Sequence, residues 1–470
     1  MTARGPGGAA GGIGDGRGTR RVVVIGLAET GIAVARVLRS EGWSVTVVED
    51  APAGTPRYRE RADEVRGLGG ELVEEPDAAR TRELVAAADL VVPSPLVRAE
   101  HVAIVAARDA GVAVRSEIDL AAERAEAALV AVTGTNGKTT VTSMIAAMLD
   151  ASGVPAIAAG NIGRPLIEAV GDRVAVIVAE VSSFQLAFAG EAFRPRVAVV
   201  LAITPDHLDW HGSFAQYADA KARIVAHQGP DGLVVFDADD AQAVAIAARA
   251  PGRSVGVSAR ADAEGCFRVV GDDLVFPDGR LLAPVAAMSR ALSHDRTNAL
   301  AAAAAALDVG ATAEGVVAAL RAYATMPHRV ALVGEANGVR WYDDSKATNP
   351  DAARRAVASF DSVVLLAGGR NKGLDLSVLA GEAPRLRGVV ALGEAAGEVE
   401  AAFAGSGVRV ERAAGMHEAV GAAHRLARSG DVVLLSPACA SFDAYSGYGA
   451  RGDDFAREVR TQVLEEVTSR

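Results

Sequence analysis

Runs of apolar residues recur along the chain and alternate with segments of helical period. In the first part of the chain these runs lie at 22–25, 45–49, 91–93 and 113–115. The turn GLAETG follows the first run, and a helical pattern then continues to about Arg39. A strand, a glycine-rich turn, a helix and a second strand form a βαβ unit. The pattern predicts an α/β domain over residues 21–126, after a disordered tail at 1–20 that has almost nothing to bury.

A second series of elements begins with the β-rich run 129–133, and the helix after it continues to about Ser152. The runs 174–180 and 197–203 are apolar without alternation, which is typical of parallel strands covered on both faces. Residues 232–285 instead contain short β runs between Gly/Asp turns, which predict a small antiparallel insert. The alanine-rich stretch 299–307 favours a helix.

A third α/β series follows a break in the pattern at YATMPH, 323–328. Its predicted strands lie at 339–343, 362–367, 388–392 and 431–436. We therefore predict an α/β fold of three domains, since 470 residues are too many for one core. They are a Rossmann-like domain at 21–126, a central P-loop ATPase-type domain at 127–326 with a mostly parallel sheet, and a Rossmann-like domain at 327–470.

Charge and composition exclude several functions. The net charge of −11 and the pI of about 5.4 argue against broad binding to nucleic acid or to anionic membranes, which needs a basic surface. Two cysteines cannot form a disulfide framework, which indicates a reducing compartment. No apolar stretch is long enough for a membrane helix, and the N-terminus lacks the apolar core of a secretory signal. We expect a cytoplasmic protein.

The strongest local motif is GTNGKTT, which lies between a predicted strand and a predicted helix. A glycine-rich turn at a helix N-terminus directs backbone N–H groups towards a phosphate, while the lysine adds a cation and a threonine hydroxyl suits Mg²⁺. The first glycine of the usual P-loop pattern would fall at Val132, so the alternative is an ordinary βα turn. The predicted phosphate-binding residues are Gly134, Thr135, Asn136, Gly137, Lys138, Thr139 and Thr140.

Two further motifs follow strands of the same predicted sheet. Glu180 ends an apolar strand, where a carboxylate would lie at the ligand edge and could hold Mg²⁺. In PDHLDWH, His207 and His211 are four residues apart and could share a helix face. A zinc site is the alternative there, although no third ligand is evident. We expect His207 to contact Mg²⁺ or substrate.

Other segments leave two interpretations open. Lys221, on a predicted helix, would ordinarily be a solvated charge. The run 343–349 is either a polar site or a charged loop, and Cys439 is either a packed residue or a reactive thiol. GLAETG with Asp50 resembles a dinucleotide fingerprint but has Ala28 in place of the middle glycine, so NAD and other nucleotides both remain possible.

Together these segments resemble the Mur ligases of bacterial peptidoglycan synthesis. GTNGKTT is shared with folylpolyglutamate synthetases and indicates only the superfamily. EVSSFQL at 180–186, PDHLDWHGSF at 205–214 and LSPACASFD at 435–443 are typical of the members that add D-glutamate. The resemblance extends from about residue 21 to the end of the chain.

The resemblance implies roles for single residues. Lys138 would hold ATP phosphates, Thr139 and Glu180 one Mg²⁺, and His207 a second. Lys221 would react with CO₂ and become a carbamate that helps to hold Mg²⁺. The other nucleotide-side residues would be Asn298, Arg329, Asp344 and Lys346. The substrate-side residues would be Ala28, Thr30, Asp50, Ser94, Asn161, Ser182, Thr348, Lys372, Ser441 and Tyr448.

The chain departs from the family pattern at three positions. Asp295 stands where the family usually has Asn, Leu96 where it has Gly after Ser-Pro, and Tyr448 where Phe is more frequent. The adenine contact, the turn beside the uridine diphosphate and one D-glutamate contact could therefore differ.

The resemblance implies a monomeric ATP- and Mg²⁺-dependent ligase that acts in cell wall biogenesis, and so in cell shape and division. It would activate the carboxylate of UDP-N-acetylmuramoyl-L-alanine as an acyl phosphate and join it to D-glutamate, releasing ADP and phosphate. Hinges near 126 and 326 would allow the domains to close. The alternatives are a Mur or folylpolyglutamate-type ligase for another amino acid, a P-loop ATP-binding protein without ligase chemistry, and an NAD(P)-dependent oxidoreductase.

Overall fold

The computed structural model describes residues 19–464. The chain divides into two compact units, with the division between Glu117 and Ile118. Of the tail expected at 1–20, residues 1–18 lie outside the described residues. The predicted domain limits at 126 and 326 stay predictions.

The first unit is a five-stranded parallel sheet with helices between its strands, in the order β3-β2-β1-β4-β5. Its elements are β1 (Arg21–Ile25), α1 (Glu29–Ser40), β2 (Ser44–Glu49), α2 (Pro56–Gly67), β3 (Glu71–Glu74), α3 (Ala78–Ala86), β4 (Leu90–Pro93), α4 (Val102–Ala110) and β5 (Ala113–Val114). A helix α5 (Glu117–Arg124) follows.

The turn GLAETG joins β1 to α1 at close quarters. A Cβ on Gly31 would lie 2.0 Å from the carbonyl oxygen of Gly26, so only glycine allows α1 to begin this near the end of β1. Ser94 directly follows β4, which neighbours β1 in the sheet, and its hydroxyl donates to the same carbonyl at 3.1 Å. The turn is therefore held at the carboxyl edge of the sheet, where ligands of such folds bind.

The second unit contains two sheets. The elements of its first part are β6 (Ala128–Thr133), α6 (Lys138–Ala151), β7 (Ala156–Gly160), α7 (Leu166–Ala169), β8 (Val176–Glu180), α8 (Ser183–Ala187), β9 (Val197–Val200), α9 (Leu208–His211), α10 (Phe214–Ala222), β10 (Leu233–Asp237), α11 (Ala241–Ala247), β11 (Arg253–Ser258), β12 (Phe267–Val270), β13 (Asp273–Val275), β14 (Leu281–Pro284), a 3₁₀ turn (Val285–Ala287), α12 (Ser293–Asp308) and α13 (Ala313–Ala322).

These strands form one sheet in the order β14-β13-β12-β11-β10-β9-β6-β8-β7. The prediction that residues 232–285 are an antiparallel insert is wrong for its first half. β10 and β11 pair in parallel and extend the main sheet beyond β9, and only β12, β13 and β14 form antiparallel pairs. The physical reason is that α11 lies between β10 and β11, so that the chain crosses over and runs in the same direction again.

Helix α12 lies at the centre of this core. Its residues 299–306 are all buried, seven of them alanine, and the helix packs against α6 and against strands of the sheet. Because alanine has only a methyl side chain, two backbones can approach closely along the whole helix. The alanine run thus serves dense packing as well as helix propensity.

The second sheet of this unit has the order β15-β16-β20-β17-β18-β19 and is parallel except for β15. Its elements are β15 (Ala331–Ala336), β16 (Val339–Asp343), α14 (Pro350–Val357), β17 (Val363–Gly368), a 3₁₀ segment (Leu376–Arg385), β18 (Leu386–Leu392), α15 (Ala396–Ala402), β19 (Val410–Arg412), α16 (Met416–Leu426), β20 (Val432–Ala438), α17 (Tyr448–Val459) and a π-helical turn (Arg460–Leu464). Apolar clusters cover both faces of this sheet.

Over residues 19–464, the structure contains no helix of the length and apolar character that a membrane span requires.

Core packing of this last sheet can be tested at Leu434, on β20, whose side chain is 0% exposed. We expect Leu434→Ala to destabilise the fold by about 2–5 kcal/mol, because it removes buried methyl groups and leaves a cavity. Urea unfolding of the full chain, followed by circular dichroism, measures the change.

The control is Leu332→Ala on the edge strand β15, where the side chain is 57% exposed. This variant should cost no more than about 0.5 kcal/mol. Equal shifts for the two variants would contradict the assignment of Leu434 to the core.

Candidate active site

The GTNGKTT loop connects β6 to α6 at the carboxyl edge of the nine-stranded sheet. Gly137 has φ +82° and immediately precedes the helix, so the backbone turns sharply there. A Cβ at this position would lie 2.6 Å from Oδ1 of Asn298, which comes from α12. The loop therefore needs glycine both for its backbone shape and for the approach of Asn298. Loop and helix N-terminus together form an anion-binding geometry.

Lys138 folds back over this loop. Its Nζ donates hydrogen bonds to the carbonyl oxygens of Gly134 and Thr135 at 3.0 and 2.9 Å. Desolvation lowers the pKa of this lysine, and the neighbouring carboxylate of Glu180 opposes part of that effect. The ammonium is thus held beside the loop by neutral carbonyls, which leaves its charge available to an anionic ligand.

Glu180 and Asn161, predicted separately, lie together. Glu180 ends β8, next to β6, and Asn161 follows β7. The Asn161 amide donates to Oε1 of Glu180 at 2.7 Å, whereas Oε2 is buried without a hydrogen-bond partner. A buried carboxylate oxygen without a donor is costly unless something else satisfies it. A bound cation would do so, and oxygen is the ligand that Mg²⁺ prefers.

The four-residue spacing had predicted that His207 and His211 could share a helix face, and the structure shows that they do not. His207 has φ +54° and precedes the short helix α9, while His211 closes that helix and bonds the Ser183 hydroxyl at 2.9 Å. Burial, with the Phe184 ring centroid 4.8 Å away, lowers the pKa of His207 to about 4. The imidazole is therefore neutral near pH 7, with a lone pair to offer. Within the described part of the chain, no three His, Cys, Asp or Glu residues cluster as a metal site.

The expectation from helix pattern alone that Lys221 is solvated is wrong. Lys221 is 1% exposed, because it lies on the buried face of α10 with Tyr217 and Ala218, and this face packs towards the phosphate loop. The Nζ donates to the Gly134 carbonyl at 2.8 Å and lies 4.7 Å from the Tyr217 ring centroid. Desolvation lowers its pKa well below the usual value, and the positive charge of Lys138 lowers it further. Both effects favour the neutral amine, which is the nucleophilic form of the side chain.

The two sheets of the second unit meet at polar contacts beside this loop. Asp206, buried and directly before His207, accepts from Nζ of Lys372 at 2.8 Å and from the Asn349 amide at 3.1 Å. Asn349 also exchanges two hydrogen bonds with Asn136 of the loop, at 3.2 and 3.3 Å. Burial alone would raise the pKa of the Asp206 carboxyl, but the Lys372 charge holds it below its usual range.

A cavity adjoins the loop on the side of α12 and contains many of the residues predicted for nucleotide binding. Its lining includes Asn136, Gly137, Thr140, Asn298, Arg329, Asp344 and Lys346. Burial raises the pKa of Asp344 to about 7, although the Ser436 hydroxyl, which donates to it at 2.7 Å, opposes this. Desolvation lowers the pKa of Lys346 to about 8, and Arg329 lowers it further. The polar interpretation of the run 343–349 is thus the one that the structure favours.

The residues predicted for amino-acid binding are spread over three loops. Lys372 faces Asp206, while Thr348 directly precedes Asn349. Tyr448 begins α17, and its ring lies 3.9 Å from Nζ of Lys346. Ser441 is buried in the loop after β20. Ser182, predicted only as a substrate-side residue, lies elsewhere and caps α8 with Gln185. Burial raises the pKa of the neighbouring Cys439 thiol to about 12, which fits a packed residue and not a reactive one.

In the first unit, the predicted residues Ala28, Thr30, Asp50 and Ser94 line one cleft of about 790 Å³. Asp50 bonds Nε2 of His101 at 2.6 Å, and Glu49 accepts the Leu27 backbone N–H at 2.8 Å. Leu96, the departure from the family glycine, also lines this cleft, and its side chain is 74% exposed.

One simple signal in the sequence would have identified Lys221 without any resemblance. Of the 48 lysine and arginine residues, only four are lysines. These four are Lys138, Lys221, Lys346 and Lys372, and the structure brings each of them to the loop, the cavity or Asp206. An arginine cannot become a neutral amine, whereas a desolvated lysine can. Because this chain uses arginine at all its other basic positions, each lysine is a candidate for a role that needs an amine. Asp206 and Asn349 were missed as single site residues, since their partners come from distant segments.

A glycine-rich loop at a helix N-terminus on a mostly parallel sheet, with a cavity beside it and a second α/β sheet across it, is typical of α/β nucleotide-binding proteins. Comparison with known families finds matches to three domains of one family. The MurD-like N-terminal domain of Mur ligases matches residues 20–116, the Mur ligase middle domain residues 132–306, and the Mur ligase glutamate ligase domain residues 328–439. The chain belongs to the Mur ligase family.

Curated relatives are similar over nearly the full length. The UDP-N-acetylmuramoylalanine–D-glutamate ligase of Frankia casuarinae is 43% identical over 452 residues, covering 94% of each chain. The enzyme of the same name from Pelotomaculum thermopropionicum is 41% identical over 450 residues, covering 94% of this chain and 97% of the relative. Among solved structures, the MurF ligase of Thermotoga maritima in complex with ADP has a TM-score of 0.58 at 15% identity, covering 96% of each chain. That similarity concerns the fold.

The neutral state of His207 can be tested by titration. In spectra of the ligand-free protein with ¹⁵N-labelled histidine, we expect this ring to stay neutral well below pH 6.5 and to take up a proton only near a pH of about 4. His207→Asn assigns the signal by its loss. Because the folded pKa lies below the unfolded one, stability should fall as the pH falls through the window between them. A midpoint near the ordinary value of about 6.5 would contradict the burial described here.

Proposed function

We propose that this protein is an ATP-dependent ligase that adds D-glutamate to UDP-N-acetylmuramoyl-L-alanine in peptidoglycan precursor synthesis. The observation that carries the proposal is identity of 43% over 94% of the chain to a relative with that activity. The geometry of the site supports it, because an unsatisfied carboxylate oxygen of Glu180 is buried there, and the four lysines lie at the phosphate loop, the adjoining cavity or Asp206. ATP is the nucleotide of the Mur ligase family.

ATP binds with its phosphates on residues 134–140 and its base towards Asn298. The backbone N–H groups at the start of α6 and the ammonium of Lys138 offset phosphate charge. Arg329 and Lys346 line the same cavity and add positive charge from the facing domain. Asp344, with a pKa of about 7, can stay neutral beside an anion or accept a hydrogen bond as the carboxylate.

A magnesium ion fits the residues present. Glu180 would hold it through Oε2, which is otherwise unsatisfied, and Thr139 is placed in the first turn of α6. When bound, Mg²⁺ would neutralise charge on the transferring phosphoryl group. His207, being neutral, would serve a second ion or its water through a ring nitrogen.

Lys221 is carbamylated in the active protein. A neutral amine attacks CO₂ through its lone pair, and the depressed pKa of Lys221 makes that form accessible. The product is an anion, which can help to hold Mg²⁺ and places a negative charge beside Lys138. The reaction thus removes an unfavourable buried cation and supplies a favourable buried anion.

The reaction proceeds in two transfers. The carboxylate of UDP-N-acetylmuramoyl-L-alanine attacks the γ-phosphorus of ATP, the bond to the β-phosphate oxygen breaks, and ADP leaves. Lys138 stabilises the charge on the phosphoryl oxygens, so catalysis is mainly positioning and electrostatics. The neutral amine of D-glutamate then attacks the acyl phosphate, a tetrahedral intermediate forms, and phosphate leaves.

The D-glutamate carboxylates bind to Lys372, Thr348, Ser441 and Tyr448, and Lys372 is already ordered there by Asp206. The uridine diphosphate occupies the cleft of Ala28, Thr30, Asp50 and Ser94. Asn161 and Ser182 stay predicted substrate-side residues. The amine of D-glutamate must lose a proton before it attacks. His207 is a poor base for that step, because a pKa of about 4 gives it little affinity for the proton of an ammonium group.

The decisive experiment measures phosphate release from ATP with UDP-N-acetylmuramoyl-L-alanine, in the presence of D-glutamate, L-glutamate, L-alanine or meso-diaminopimelate, or with no amino acid. We expect sustained release with D-glutamate alone. Release that is indifferent to the amino acid would indicate an ATPase, and preference for another amino acid would indicate a different ligase.

The matched inactive enzyme is Lys138→Ala. It should lose about 10²–10³ in kcat, as removal of other electrostatic donors does. Thermal unfolding checks that it is folded. Near-normal turnover in this variant would refute the role of the loop.

Carbamylation is tested separately with ¹³C-bicarbonate and ¹³C NMR. We expect one carbamate signal on a side chain, and only four lysines can carry it. Lys221→Arg should abolish the signal and Lys372→Arg should preserve it. Persistence of the signal in Lys221→Arg would exclude this site.

A further inference from the structure

The linker between the two sheets of the second unit has an unusual backbone. His328 and Val330 lie on either side of Arg329 and have φ values of +60° and +47°. Neither is glycine, and a β-branched residue such as valine rarely adopts the left-handed region. Such conformations cost about 1–3 kcal/mol each and persist only where neighbouring groups impose them.

One guanidinium holds this linker. Nη1 of Arg290 donates to the carbonyl oxygen of Val330 at 3.0 Å and to that of Arg329. On the other side, the Val330 N–H donates to Oδ1 of Asp344 at 3.2 Å. Side chains therefore fix both backbone polar groups of Val330 and the carbonyl group of Arg329.

Asp295 in turn fixes Arg290. Its two carboxylate oxygens each accept a bond of 2.7 Å, one from Nε and one from Nη2 of Arg290. Oδ2 also accepts the Leu292 backbone N–H at 3.1 Å, which ties the pair to the first turn of α12. The Asp295 side chain is 5% exposed, so the paired geometry is shielded from water.

The same turn of α12 reaches the nucleotide cavity. Asn298 lies three residues after Asp295 and contacts the phosphate loop at Gly137. Arg290, Asp295, Asn298 and Arg329 all line the cavity. Only a fork with donors on several nitrogens can grip a carboxylate and two carbonyls at once, and lysine has no such fork.

We propose that Arg290 and Asp295 are positioning residues that hold the linker at Arg329–Val330 in its left-handed turn and so direct Arg329 into the nucleotide cavity. Asp295, which departs from the family asparagine, then serves this chain as the anchor of Arg290 and not as a contact to adenine. The inference rests on the proposed function only in that the cavity binds ATP.

The test measures the Kd of a non-hydrolysable ATP analogue with Mg²⁺ by calorimetry on the full chain. Arg290→Lys should weaken binding about tenfold, the loss that corresponds to releasing one strained residue. Asp295→Asn should weaken binding less, because the asparagine Oδ1 still accepts one of the two hydrogen bonds from Arg290. The control is Arg296→Lys on α12. The Arg296 guanidinium donates to the Ala291 carbonyl at 3.0 Å and not to the linker, so this variant should bind as the wild type does.

A rescue experiment separates positioning from simple packing. Glycine adopts positive φ without strain, so in a Val330→Gly background the clamp is no longer needed. In that background, Arg290→Lys should change the Kd by less than about threefold, because glycine at position 330 leaves little backbone strain for Arg290 to offset. Thermal unfolding confirms that each variant is folded at the assay temperature. The same tenfold loss in both backgrounds, or no loss in either, would overturn the proposal.

The outcomes also distinguish this inference from the ligase function. A wild type that binds the analogue but releases no phosphate with D-glutamate refutes the ligase and leaves the Kd comparison decisive for Arg290. A wild type that binds no analogue refutes both.

Discussion

The site depends on an imbalance of buried charge at the carboxyl edge of the nine-stranded sheet. Desolvation lowers the pKa values of Lys138, Lys221 and Lys346. The charge of Lys138 lowers those of Lys221 and Lys346 further, and Arg329 and Lys372 do the same for Lys138 and Lys346. The carboxylates of Glu180 and Asp206 offset only part of that charge. Burying cations of this kind costs free energy of folding unless anions pair with them. The fold therefore holds its lysines in a state that a triphosphate, a carbamate and a dicarboxylic amino acid would each stabilise.

Two connections tie the second sheet of this unit to that edge. One is polar and lies beside the phosphate loop, where Asp206 holds Lys372 and Asn349 exchanges hydrogen bonds with Asn136. The other is the linker at Arg329, gripped by Arg290. Both connections lie beside residues for which we propose binding to ATP or D-glutamate. Under that proposal, the contacts that stabilise the assembly also position the chemistry. An anionic amino acid near Lys372 would compete with Asp206 for its ammonium, which couples substrate binding to this interface.

The periodicity of the sequence predicted most of the architecture, and the reason is physical. Buried parallel strands must be continuously apolar, so β1, β6, β8 and β20 are visible as local patterns. The glycine-rich GTNGKTT loop is visible for a different reason, since its backbone shape requires glycine at Gly137. The strands at 232–258 were misread as antiparallel because short β runs do not reveal direction, which depends on the crossover between them.

The sequence by itself determined the three α/β series, the phosphate loop and, through its family resemblance, the residues around it. Only the tertiary structure decided which of those residues meet. Nothing local to Lys221 shows that it is buried against Gly134, and nothing local to Arg290 shows that it holds a linker 39 residues away. Spacing along the chain records helix and strand periods, whereas burial, desolvation and the pairing of Asp206 with Lys372 arise from contacts between distant segments. Those contacts set the charge state of the site, and so its chemistry.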